Sequence, residues 1–419
     1  MAVDFSLLPP EQDIPKDPPS RLVWTIVFFL LTLAGVFVVL LLWPKDEPTQ
    51  TSWFWVCIAL YPAGTSAFVV SRRYSVYEGH RLDVHAWNEE RKRYIEDLFD
   101  RASIPFAVIG AAFSFIDDEK LDNVSAIAER TLVLKAQPAI AEQGTVSARW
   151  FAPDALERKA WLRGPDTVRQ AQVLVWVFDR LLYRSRNALA KLPDNLPLVV
   201  RIKVVANAYE GDWGSLWNER WRQLSLPPST VVIEPEDMGL MDVDSWLDSS
   251  DSRLQTHATL VVVVQLNEIL GKNPPEGSAE TCAAVLLVPE RLLQHHRLEP
   301  IARIHRPMTG SKDSLTHVLR YALRWGKADP LSIGRSWLNN LNAASTSVFH
   351  AALREVGVTS ARDTPLPELN LDRTVGHAGS AADWLALACA AASSQQLGSP
   401  QLVVMQHASD IVSTVVAAP

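Results

Sequence analysis

The residues best able to do chemistry are few in this chain. Three cysteines, Cys57, Cys282 and Cys389, are spread over its length with no CxxC pair. A thiolate becomes a nucleophile or metal ligand when a helix N-terminus, a cation or a metal lowers its pKa, and none of the three has an evident neighbour of that kind. Their spacing predicts neither a disulfide framework nor a zinc module, and it fits a reducing compartment. Asp242, Asp244, Asp248 and Asp251 cluster in the segment MDVDSWLDSSD. A calcium loop of EF-hand type needs alternating oxygen ligands with a glycine at the turn. That glycine is missing, so a solvated, helix-capping loop is expected. His295 and His296 are adjacent, and on a helix their side chains diverge by about 100°, which keeps them from sharing an ion. Glu276 and Glu280 bracket a polar turn ahead of a strand. The phosphate-loop, dinucleotide, zinc-protease and nucleophile-elbow signatures do not occur. No cofactor and no metal are expected.

The elements that must position these groups alternate in character. Residues 106–110 (FAVIG), 197–206 (PLVVRIKVVA), 230–234, 259–265 (TLVVVVQ) and 282–288 (CAAVLLV) read as strands. Several have the all-apolar character of a sheet covered on both faces. Helices are expected over 166–192 and over 212–224, where Trp213, Trp217 and Trp221 recur. A second half follows, with strands at 300–305, 336–341 and 401–407 and helices at 314–325, 345–356 and 381–395. The alternation predicts an α/β fold. Some 340 residues from about position 80 onward are enough to bury a large core.

Four segments, in order, carry a family likeness. They are residues 104–115 (IPFAVIGAAFSF), 275–290 (PEGSAETCAAVLLVPE), 321–341 (YALRWGKADPLSIGRSWLNNL) and 374–382 (TVGHAGSAA). Together they resemble β-ketoacyl synthases: the first strand and turn, the Gly-Glu-Gly-Ala-Ala turn with its strand, the approach to the first histidine loop, and the second histidine loop. The resemblance implies a thiolase-like body, a duplicated α/β/α/β/α arrangement with its first half over 104–290 and its second over 298–419. Departures from the family pattern are large. The nucleophilic cysteine is expected at about 165–190, where there is none. The first histidine loop, about 339–345, reads NNLNAAS, and Asp372 stands where the family has lysine. His377 is the one synthase-like remnant, so a catalytically inactive pseudo-enzyme is expected. On its own, His377 reads as a residue bonding within a loop that needs Gly376 and Gly379 for close backbone approach.

Ahead of this body lie two apolar runs, residues 22–43 and 53–71, within a hairpin at 21–74. The first is free of charge over 22 residues, ~33 Å as a helix against a ~30 Å hydrocarbon core. The second carries Pro62 and Gly64, which membrane helices tolerate. Trp24, Trp43, Trp53 and Trp55 lie near the ends, where indole rings favour the interface. Lys16 and Arg21 precede the first run, Lys45 is offset by Asp46 and Glu47 in the turn, and Arg72, Arg73, Arg81 and Arg91-Lys92-Arg93 follow the second run. That distribution predicts both termini in the cytoplasm of a bacterium, with two passes through the inner membrane. Residues 1–20, rich in proline, are expected to form a disordered arm. Residues 80–101 are expected to form a juxtamembrane helix.

The net charge of −7 speaks against nucleic acid. Taken whole, the arrangement is similar to accessory proteins of type VI secretion clusters. That likeness implies an adaptor or chaperone for a secreted effector or spike protein. The alternatives are an acyl-chain or acyl-carrier-protein binding protein (or residual acyltransferase) using a synthase-like tunnel, and an immunity protein against a toxin. A homodimer through the thiolase-like body also fits.

Overall fold

The computed structural model describes residues 7–419 other than 16, 154–163, 210, 250–251 and 359–365. The chain divides into two compact units, Val3–Asp100 and Arg101–Pro419.

In the first unit, α1 (Arg21–Leu42) is apolar along its length, and none of its residues is buried by protein. Beyond a turn come α2 (Ser52–Trp55), a π-turn at Val56–Leu60, and α3 (Tyr61–Ala102). Pro62 accounts for the π-turn: it lacks an N–H and its ring clashes with the carbonyl four residues back, so the ladder widens ahead of it. The helix Arg21–Leu42 and the continuous helical stretch Ser52–Ala102 are each long and apolar enough to cross a membrane. They meet at Gly35, where a Cβ would lie 2.8 Å from the Cβ of Pro62. A small residue at such a crossing lets two backbones approach.

Two expectations change here. The juxtamembrane helix is not a separate element but the end of α3, which runs unbroken for 42 residues. Ion pairs at helical spacing, Arg81–Glu78, Lys92–Glu96 and Arg93–Glu89, line its charged part. The arm is not disordered over its described residues, because proline carbonyls freed from secondary structure find donors along α3. Pro9, Pro10, Pro15 and Pro19 accept from Arg91 Nε, Trp87 Nε1, Tyr77 Oη and Tyr74 Oη, and Gln12 exchanges two hydrogen bonds with the Asn88 side chain.

The second unit opens with β1 (Phe106–Ser114), α4 (Val124–Ala128) and a ribbon of β2 (Ala136–Pro138) and β3 (Thr145–Ser147). Next come α5 (Asp166–Leu189), β4 (Leu198–Val205), α6 (Trp213–Gln223) and β5 (Ser229–Ile233). After α7 (Leu240–Leu247) and α8 (Ser252–Thr256) come β6 (Ala258–Gln265), β7 (Thr281–Pro289) and α9 (Glu290–His296). The second half runs β8 (Ala302–Ile304), β9 (Met308–Ser311), α10 (Leu315–Trp325), β10 (Arg335–Asn339) and α11 (Ala343–Glu355). It ends with β11 (Glu368–Asn370), α12 (Leu371–Thr374), α13 (Ala382–Leu397), β12 (Gln401–His407) and β13 (Asp410–Ala417).

One mixed sheet of 11 strands runs β11-β10-β12-β13-β8-β1-β7-β6-β4-β5, with β9 beside β13. A repeat is hidden in that order. Strands β1, β4, β5, β6 and β7 of the first half, counted one to five, lie in the order 3-2-4-5-1, and so do β8, β10, β11, β12 and β13 of the second. Directions repeat as well. In each half the second strand is parallel to the third and fourth, while the fifth is antiparallel to the fourth and first. The halves join through the antiparallel pair β1–β8.

Alternation along the strands builds two cores. Phe106, Val108, Val261, Val263 and Val285 face one way, and Ala107, Ile109, Leu260, Val262 and Leu286 face the other. The latter face is covered by α5 and α6. The former is covered by α13, which also packs on β10, β12 and β13. From Ala382 to Ala391 α13 is buried on every side, the condition of a helix in a middle layer. On the far side of β13 lies α10, whose end meets Val415 at Gly326 and which packs on α11. This is the duplicated α/β/α/β/α layering that the resemblance implies.

A buried ion pair ties the first half together. Arg169 of α5 and Glu280, just ahead of β7, are fully inaccessible and bond at 2.8 and 2.5 Å. The Glu280 carboxylate also accepts the backbone N–H groups of Phe151 and Asn267. Removing one partner leaves the other charge buried without compensation. Glu280→Gln should therefore cost about 3–5 kcal/mol in urea unfolding of the detergent-solubilised protein. A loss below about 1 kcal/mol would show that the pair is not a structural keystone.

Candidate site at the junction of the two halves

Two loops from opposite halves meet at His377. One is the turn 275–280 ahead of β7, and the other links α12 to α13. His377 N donates to Gly277 O at 2.7 Å, and Ala279 N donates to His377 O at 2.9 Å. Arg149 N donates to Ser278 O, and Glu280 N to Arg149 O, so a third strand of backbone closes the junction. The approach is close enough to demand glycine. At Gly376, with φ at +115°, a Cβ would lie 2.9 Å from Gly277 O, and at Gly277 one would lie 3.0 Å from the His377 ring. Two segments that carry the family likeness are thus direct partners.

The His377 ring is exposed. Its Nδ1 lies 2.9 Å from Asp372 Oδ1, off the line of a hydrogen bond, and bonds Asn340 Oδ1 at 3.3 Å. The other Asp372 oxygen accepts Asn340 N at 2.6 Å. The structure therefore brings together His377, Asp372 and the 339–345 loop, as the resemblance implies. Burial raises the Asp372 carboxyl above its ordinary value, and the His377 charge opposes that rise. An Asp–His pair can hold an imidazole for proton transfer, but covalent chemistry also needs an activated nucleophile in reach. Cys282 and Cys389 are fully buried, and burial drives both thiols upward, away from the thiolate. Two residues of this junction escaped the sequence reading. Arg149 donates to Thr374 O and Val133 O while burial lowers its guanidinium to about 10. Asn340 sits at φ +59° after β10. Arg149 acts through backbone carbonyls and Asn340 through the Asp372 and His377 side chains, all remote in sequence, and only the asparagine's left-handed backbone has a recognisable sequence preference.

Residues 165–190, where the resemblance implies the nucleophile, are almost entirely one helix. They form α5, which follows the first strand of its half and matches α10 in the repeat. The helix that follows the His377 loop, α13, lies between the third and fourth strands, so its counterpart is α7–α8, between β5 and β6. The equivalent loop is 234–239 (EPEDMG), which also lacks cysteine. The N-terminus of α7 is filled from within. Asp242 accepts Gly239 N at 2.7 Å, and Asp383, from the first turn of α13, accepts Leu240 N at 2.7 Å. Asp383 also lies 3.1 Å from His407 Nε2, and Trp384 Nε1 donates to Met238 O. Two carboxylates thus occupy the positive end of α7, where an incoming anion would otherwise be stabilised.

From Met241 to Leu247 the acidic segment is accordingly helix α7 rather than a solvated loop. Asp242 caps it as expected, while Asp244 is buried and joins Asp248 in gripping Arg306, itself buried. Asp251 lies outside the described residues. His295 and His296 fall in the last turn of α9 with their rings edge to face at 4.7 Å.

The His407–Asp383 contact makes a pH-dependent prediction. The hydrogen bond to Asp383 raises His407 above its ordinary value, against the pull of burial. Its stabilisation is complete below the unfolded value of about 6.5 and is lost as pH rises through the higher folded value. Buried His305, pushed down to about 4, acts in the opposite sense at lower pH. Comparison of the wild type with His407→Gln therefore isolates the first effect. The wild type should lose its melting-temperature advantage over the variant as pH rises above about 6.5 and through the raised His407 value; a constant difference would refute the coupling.

No protein-family profile and no curated protein sequence matches the chain. Similar solved structures include the ishigamide ketosynthase/chain length factor, at 14% identity and a TM-score of 0.49 over 75% of this chain and 99% of that one. The ketosynthase from module 1 of the bacillaene synthase of Bacillus amyloliquefaciens is also 14% identical with a TM-score of 0.49, over 76% and 77% of the two chains. The 3-oxoacyl-[acyl-carrier-protein] synthase III of Aquifex aeolicus is 10% identical with a TM-score of 0.41, over 74% and 99%. The duplicated strand order described above carries the fold on its own.

Proposed function

We propose that this chain is a membrane-anchored, catalytically inactive binding protein. In this reading the hairpin holds the synthase-like body at the inner face of a bacterial membrane. There it serves as an adaptor or chaperone for a type VI secretion effector or spike protein. The observation that carries the loss of catalysis is the N-terminus of α7, filled by Asp242 and Asp383, with both body thiols buried. His377 then acts as a latch between the halves, spending its backbone on Gly277 and Ala279. Anchoring is supported by α1, most of whose apolar side chains are left exposed by the protein and need a hydrocarbon surrounding. The partner class follows the likeness to accessory proteins of those secretion clusters.

Two measurements test this reading. A fluorescent protein fused after Pro419 should fold and fluoresce on the cytoplasmic side, and an alkaline phosphatase fusion there should be inactive; the reverse pattern would overturn the orientation. Affinity capture from detergent extract should recover an effector or spike subunit. If native mass spectrometry instead finds acyl-CoA or acyl carrier protein bound, and His377→Ala releases it, the acyl-binding alternative replaces the adaptor.

A further inference from the structure

The membrane reading leaves one feature of the hairpin unexplained. A groove of about 720 Å³ opens between α1 and α3, lined chiefly by apolar side chains. Arg21, Trp24 and Tyr74 stand at one end, with Phe28, Phe29 and Val70 farther along. Seven residues separate Arg21 from Phe28, about 10 Å along the helix, so the lining passes from charged through amphipathic to apolar in the order of a phospholipid. The Arg21 side chain makes no ion pair or hydrogen bond among the described residues, whereas Tyr74 Oη is already engaged by Pro19 O. Arg72 and Arg73, both exposed, follow Ser71 of the groove wall and add positive potential at the same end.

We infer that this groove is a binding site for an anionic phospholipid of the cytoplasmic leaflet. Its phosphate is met by Arg21, and one acyl chain lies against Phe28, Phe29 and Val70. The inference rests on the proposed membrane anchoring and adds to it a lipid class and a place. Charge complementarity selects the occupant: an arginine without a carboxylate partner, at interface depth, favours an anionic headgroup over a zwitterionic one. The hairpin then prefers anionic bilayers through a built contact rather than through diffuse charge alone.

Full-length protein purified in mild detergent, offered phosphatidylglycerol or phosphatidylcholine of identical acyl chains, tests this by native mass spectrometry. One phosphatidylglycerol should be retained more tightly. Arg21→Gln should reduce that preference about fivefold, the worth of one cationic side chain near a membrane surface. Arg21→Lys should keep most of it, and Lys45→Gln, in the opposite turn of the hairpin, should leave it unchanged. Equal retention of the two lipids, or an equal loss in Lys45→Gln, would overturn the site. Alkaline carbonate extraction separates the two failures. Protein released into the soluble fraction defeats the membrane reading itself, whereas membrane-retained protein without lipid preference defeats only this inference.

Discussion

The body depends on one constraint above the others, the burial of the Glu280 carboxylate. An isolated carboxylate in an apolar core is prohibitively costly. Here its two oxygens are satisfied by the Arg169 guanidinium and by two backbone N–H groups, Phe151 and Asn267. That network fixes α5 against the sheet, since Arg169 is on α5, and holds the segments entering β7 and leaving β6. It also sets the position of the turn at Gly277, three residues upstream, on which the His377 loop leans. The junction between halves is therefore rigid because the charge beneath it has a single satisfactory arrangement.

The repeat makes the two halves comparable, and their differences are informative. In the second half the middle helix, α13, runs 16 residues and is buried all round from Ala382 to Ala391. Its counterpart in the first half is broken into α7, of 8 residues, and α8, of 5. The shorter helices cover less of the sheet: beside Leu254 of α8 a hollow of about 230 Å³ remains over Val199, Thr230 and Val232. Tethers replace length. Asp244 and Asp248 bind Arg306, and Trp246 lies beneath Arg201 and stacks on Trp384 of α13. A pair of helices held by carboxylates at its positive end is a structural solution, and it spends the electrostatic resource that an active thiolate would require.

Much of this was legible in the sequence where side chains answer only to burial. TLVVVVQ and CAAVLLV became β6 and β7 because an apolar run covered on both faces has few alternatives. Helices α5, α6, α10 and α11 followed their periodicity to within a few residues. What failed depended on partners far along the chain. The acidic text from Asp242 to Asp248 looked solvated because Arg306 is some 60 residues away. Strand β13 went unread because its Ser413 and Thr414 interrupt the apolar pattern, although the fold buries both. Strand order is likewise invisible in the text: only the folded sheet reveals which helix lies between the third and fourth strands of each half. In the site, His377 and Asp372 are visible through a glycine-flanked loop, whereas Arg149 and Asn340 meet partners some 16 to 225 residues away that no local pattern announces.

The N-terminal unit obeys a different economy, because its large apolar faces have no core to enter. The ordered features are the polar ones. Proline carbonyls of the arm have no partners of their own in an extended segment, and the phenol, indole and guanidinium donors on α3 cannot bond hydrocarbon. Pairing the two sets satisfies both. It does so over Tyr74 to Arg91, the part of α3 where apolar text gives way to charged text. At the other end of the hairpin the contact is apolar and steric, Gly35 against Pro62 and Trp43 against Phe54. The same two helices are thus joined by packing along their apolar lengths, and α3 is joined to the arm by hydrogen bonds where charged residues begin.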